Sequence, residues 1–223
     1  MKSPATGISH LIIVRTEYFR YAEWSSHPTP HPSDGHRHLP ALPAPPYLHY
    51  IFMHELIFQL KNQQEINFSN ILEQIQVADL ETIFDGVNNS RYIFHYLHSM
   101  DRFFINPEDY VYEGEKLFGI PENLSVIDSN RQGYEKDTSI VIPREKLLSY
   151  FDFVKTKIQK YLENLTVEEL FQKPENCEYS RFELILGQIR HQFWHIGLSS
   201  AITFESKHIW NEFTGLNGLR SKF

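Results

Sequence analysis

Residues 180–205 read SRFELILGQIRHQFWHIGLSSAITFE. Ser180 followed three residues later by Glu183 is a capping box, which predicts a helix start. Apolar residues then recur at helical spacing to about Glu205 with no proline to interrupt them. They make two stripes. Leu184, Leu198 and Ile202 form one; Ile185, Ile189, Phe193 and Ile196 form the other. A helix apolar nearly all round is central, or serves a subunit interface as well. His191 and His195, one turn apart, share the first stripe with Gln188 and should point inward.

Three more helices are predicted upstream. From about 50 to 77, Leu56, Leu60, Ile71 and Ile75 share a face, with Phe68 and Leu72 beside them. In NNSRYIFHYLHSMDRFFINP, Asn88 to Ser90 offer caps, Ile93, Leu97, Met100 and Phe104 mark the buried face, and Pro107 closes the helix. The third opens at PREKLL, with Pro143 in the first turn and a stripe of Leu147, Phe151, Val154, Ile158, Leu162 and Leu165. Thr166 and Glu169 cap a short turn before Pro174. Residues 106–141 form a long irregular loop between helices 2 and 3, placed to overhang a site, with TSIVI the only segment suited to local strand pairing. Four long amphipathic segments without a repeat predict an all-α chain folded as a four-helix bundle.

The bulk composition narrows the function. The 223 residues carry a net charge of −7, which excludes the basic footprint of a nucleic-acid or anionic-membrane binder. A single cysteine, Cys177, excludes an internal disulfide framework and fits a reducing, cytoplasmic setting. The apolar run LIIV near the start is too short for a leader or a span. Seven of the twelve prolines fall between Pro28 and Pro46, beside His27, His31, His36 and His38. Residues 1–48 therefore read as a Pro/His-rich extension, disordered in expectation, and 49–223 as the bundle domain.

Two imidazoles on an inward stripe need partners. Each can bond a backbone carbonyl or water, or both can bind one cation. The second helix carries His95 and His98. Projection centres its apolar face near Leu97 and Phe104, puts His98 at the flank of that face and leaves His95 towards solvent. His98 can thus reach across to complete a three-histidine site. Asp101, three residues on, reads either as a salt-bridge partner of Arg190 or Arg102 or as the carboxylate that holds a ligand imidazole; Gln188 is a second such candidate. Other chemistries lack their residues. Gln192 stands where a zincin has its catalytic glutamate. The lone Glu205-x-x-His208 has no mate for a di-iron site. No serine has a triad signature around it, and Cys177 lies in the loop KPENCEYS without an activating neighbour.

HYLHSMDRFF in the second helix and HQFWHIG in the fourth resemble the DinB/YfiT-like superfamily of metalloenzymes, over about 53–216. The resemblance implies a four-helix bundle with His98, His191 and His195 as metal ligands. Gly197 fits the pattern; Leu198 stands where a glutamine is common, and Gln188 is its candidate substitute. It also implies a divalent metal (Zn, Ni or Fe) with open positions, and in many relatives a homodimer. A low-molecular-weight thiol would act as co-substrate in an S-transferase or isomerase acting on a small molecule. Tyr110, Tyr112 and Arg131 are candidate substrate contacts. The alternative is a non-catalytic, metal-stabilised bundle that serves as a binding or stress-related interaction protein.

Overall fold

Helix α1, Pro46–Val77, opens the part of the chain described by the computed structural model, which covers residues 46–215 and 220–221, with side chains from Glu55 to Gly215. The reading of residues 1–48 as an extension lies outside the described residues up to the start of α1. Ile57, Leu60, Phe68, Ile71 and Ile75 are buried, so Ile57 rather than Leu56 leads the apolar stripe. Beside it runs a second stripe that periodicity did not single out: Gln64, Asn67, Asn70 and Gln74, all fully buried.

Two short strands, β1 Ile83–Phe84 and β2 Val87–Asn88, pair antiparallel after α1. Asp85 and Gly86 join them, both at positive φ (46° and 85°), the backbone that an Asp-Gly hairpin turn requires. Helix α2, Asn89–Phe103, follows at once. Asn88 takes the N-cap position, but its side chain donates to the Glu81 carbonyl instead of capping the helix. Apart from the half-buried His95, α2 is buried from Asn89 to Asp101.

The long connection is less irregular than expected. It holds a 3-10 turn at Pro107–Asp109, helix α3 at Gly114–Phe118 and a second 3-10 turn at Glu122–Ser125. TSIVI forms no strand; the Ile142 amide instead donates to Ser90 Oγ at 3.1 Å. Helix α4, Arg144–Asn164, starts one residue later than expected, with Pro143 as its N-cap. Its buried stripe is the expected one with Tyr150 added. Both capping boxes form as expected, ahead of α5, Val167–Leu170, and α6, Arg181–Lys207. His208, in left-handed backbone, ends α6. Strands β3, Phe213–Thr214, and β4, Arg220–Ser221, close the described chain.

Among the described residues the fold is all-α apart from these two small pairs. Helices α1 and α2 each pack against α4 and α6. One core of Phe68, Ile71, Ile93, Leu97, Phe151, Val154, Ile185 and Ile196, among others, joins all four. The stripe on α6 that suited a subunit interface faces mostly inward: Ile185 and Ile196 are in the core and Ile189 packs on it. The large apolar residues that α6 exposes are Leu186 and Trp194.

Where α1 meets α6, amides fill part of the interior, and each makes at least one hydrogen bond, as buried polar groups must, although Gln74 Oε1 has no partner. Gln64 and Gln192 exchange hydrogen bonds at 3.0 and 3.4 Å, and Asn67 donates to the same Gln192 oxygen. Gln74 donates to Ser199 Oγ at 2.8 Å, and Ser199 donates on to Asn89 of α2 at 2.7 Å. Asn70 donates to the Thr214 carbonyl and accepts from its amide.

Candidate metal centre

The packing of α2 on α6 brings three histidines together. The His191 and His195 rings lie 4.5 Å apart, centroid to centroid, and the His95 ring lies 5.3 Å from the first and 4.7 Å from the second. One nitrogen from each falls within 4.8 Å of the other two, close enough to bind a single metal ion. His195 is buried and the other two are half-buried. The ring of Tyr96 stacks on His195 at 6.3 Å, and its hydroxyl, fully buried, has no hydrogen-bond partner.

Protonation state favours a cation. Burial pushes His95 down to about 4 and His191 to about 3 from the usual 6.5, and His195 lower still. All three are neutral at pH 7, the form in which imidazole binds metal. His95 Nδ1 lies 2.7 Å from the Ser125 carbonyl, which can only accept, so Nδ1 carries the proton and Nε2 keeps its lone pair. A backbone carbonyl behind a ligand imidazole is a common arrangement at metal sites. On α6, Nδ1 of His191 and Nδ1 of His195 are buried with no partner at all. Orphaned buried nitrogens of this kind cost about 1–3 kcal/mol each. Three nitrogen donors without a thiolate suit zinc, nickel or iron better than calcium or magnesium.

The third histidine is not the expected one. His98 points away from the pair: its Nε2 donates to Glu122 Oε1 at 3.0 Å, and its ring sits among Phe94, Tyr110 and Tyr112. His95, expected towards solvent, takes its place. The cause is the turn at Glu122–Ser125, which packs on α2 and covers the face that projection assigned to water.

Arg91, one turn before His95 and fully buried, holds that turn. Its guanidinium donates to the carbonyls of Leu124, Val126 and Glu135. Arg91, Glu122 and Ser125 escaped the sequence reading; the only signal was an arginine four residues ahead of a histidine.

Asp101 and Gln188 do not bond the three histidines. Asp101, buried, accepts from Tyr110 and Tyr150 hydroxyls at 3.0 Å each and pairs with Lys157 at 2.7 Å, not with Arg190 or Arg102. Replacing Asp101 by alanine leaves the buried Tyr150 hydroxyl and the half-buried Tyr110 hydroxyl without this acceptor, and an ammonium without its partner. Urea denaturation should show a loss of about 3 kcal/mol; a change under 1 kcal/mol would deny Asp101 this structural part. Gln188 accepts from Ser99 Oγ at 3.2 Å, which ties α6 to α2 one turn before His191. Tyr110 and Tyr112 belong to the surroundings of His98, whereas Arg131 lies near enough to His95 to disfavour its protonation. Cys177 is buried and unpaired.

No family model, curated protein or solved structure matches the chain. Among the described residues, no helix is long and apolar enough to cross a membrane.

Proposed function

We propose that this chain is a cytoplasmic metal-dependent enzyme acting on a small molecule, with His95, His191 and His195 holding one divalent cation inside a four-helix bundle of the DinB/YfiT-like kind. The observation that carries it is the donor set: three neutral imidazoles in mutual reach, one with its Nε2 freed by the Ser125 carbonyl and two with buried, unpartnered Nδ1 atoms. Three protein ligands are the number a catalytic site uses, and the cation, when bound, supplies a Lewis acid able to lower the pKa of a water or thiol. The residues around it do the rest. The Ser125 carbonyl orients the His95 ring, Gln188 ties α6 to α2 through Ser99, and the Tyr96 ring shields one face of His195. The resemblance of HYLHSMDRFF and HQFWHIG to that superfamily extends the proposal to a low-molecular-weight thiol as co-substrate of an S-transferase or isomerase, in a homodimer.

Cobalt substitution tests it. The chain loaded with Co²⁺ should show visible d–d bands, and a small thiol should add a near-ultraviolet sulfur-to-cobalt charge-transfer band. Cobalt binding without any response to thiols or other exogenous ligands would point to a closed site, and so to the metal-stabilised binding protein. Absence of cobalt, zinc, nickel and iron binding would end the metal reading.

A further inference from the structure

One face of α2 grips a single short turn at three heights. Arg91 donates to the Leu124 and Val126 carbonyls, His95 to the Ser125 carbonyl, and His98 to the Glu122 carboxylate. Arg91 also reaches the Glu135 carbonyl, where the loop returns. The Ser125 carbonyl is thus fixed from both sides: Arg91 holds its two neighbours in sequence, and the His98–Glu122 pair anchors the start of the turn. A neutral imidazole chooses its tautomer by the hydrogen bond its other nitrogen can make. Without a carbonyl held at Nδ1, His95 would populate the Nε2–H form, whose Nε2 has no lone pair to offer.

We infer that Arg91 and Glu122 are positioning residues: by clamping the turn Glu122–Ser125 against α2, they hold His95 in the Nδ1–H tautomer and keep its Nε2 available to a cation. Neither belongs to the three-histidine group. The coupling is reciprocal by thermodynamic necessity, so whatever loosens the turn weakens the cation and the cation tightens the turn. The affinity arm of this inference rests on the metal reading above; the tautomer arm does not.

The test uses the full chain, metal-free, with nitrogen-15 side-chain shifts of His95 reporting its tautomer. The parent should show Nδ1–H alone. Glu122→Ala should give a mixture of tautomers and at least about a tenfold loss of Zn²⁺ affinity by chelator competition, the range typical of groups that orient ligand histidines. Glu122→Gln, whose carbonyl can still accept from His98, should restore both to within about twofold of the parent. Arg91→Met should act in the same direction; if it does not fold, Glu122→Ala carries the test, because the Glu122 side chain is 47% exposed and outside the core. A folded Glu122→Ala with pure Nδ1–H and parental affinity overturns the inference, as does a parent in the Nε2–H form. A parent locked as Nδ1–H, unlocked by Glu122→Ala yet binding no metal, supports the clamp and overturns the metal reading alone.

Discussion

Alanine at His95 should strip the chain of its metal, and alanine at His98 should leave about one equivalent in place. The two residues are one turn apart on α2, but only His95 has a nitrogen within reach of His191 and His195. Its removal leaves two ligands and should weaken Zn²⁺ by more than about 100-fold, beyond the loss seen when only an orienting partner is changed. His98→Ala instead breaks the bond to Glu122 and empties the space between Phe94, Tyr110 and Tyr112. It should cost stability and, through the loosened turn, some affinity, but not stoichiometry at micromolar metal. Elemental analysis of the two variants after gel filtration decides the matter. Metal retained by His95→Ala and lost from His98→Ala would restore the ligand set that the sequence resemblance implied.

The metal-free chain should be sharply acid-sensitive between pH 7.5 and 5.5. In the folded state His95, His191 and His195 take up protons only well below the unfolded value of 6.5, because burial penalises the cation. Above about pH 7.5 both states hold these rings neutral, and stability is level. Below it the unfolded chain binds up to three more protons than the folded one, so stability falls as pH falls. Each ring contributes about 1.4 kcal/mol per pH unit, which together gives a loss of about 4 kcal/mol by pH 5.5. That is a large share of the roughly 5–15 kcal/mol that holds a typical domain. Urea midpoints measured in chelator should drop steeply over this window and recover on addition of metal, which binds only the folded site. An unchanged midpoint at pH 5.5 would mean that the three rings are open to water.

Local chemistry was legible in the sequence and wrapping was not. The capping boxes at Thr166/Glu169 and Ser180/Glu183 formed because each needs only four consecutive residues. The inward direction of His195 followed from Leu184 and Ile202 on its own stripe, both buried. Helix α2 defeated the same reasoning. Projection assumes one wet face, but from Asn89 to Asp101 α2 is covered on all sides, with Arg91 and Asn89 as deeply buried as Leu97 and only His95 half-buried. What covers His95 is a carbonyl thirty residues downstream, in a segment whose composition predicted only a loop. The polar stripe of α1 was missed for a related reason: Gln64 and Gln74 count as surface residues until their partners on α6 are known.

Those amides have a consequence for assembly of the chain. Leucine and isoleucine faces tolerate sliding, since one aliphatic neighbour is much like another. Here a slip of α1 along α6 by one turn, about 5.4 Å, would separate Gln64 and Asn67 from Gln192 and Gln74 from Ser199 in the same movement. Each stranded amide would cost about 1–3 kcal/mol, so the misaligned pairing is heavily penalised at once rather than by degrees. Gln192 and Ser199 flank His195 on α6. The amides therefore act as a vernier that sets α6, and the histidines it carries, at one height in the folded chain.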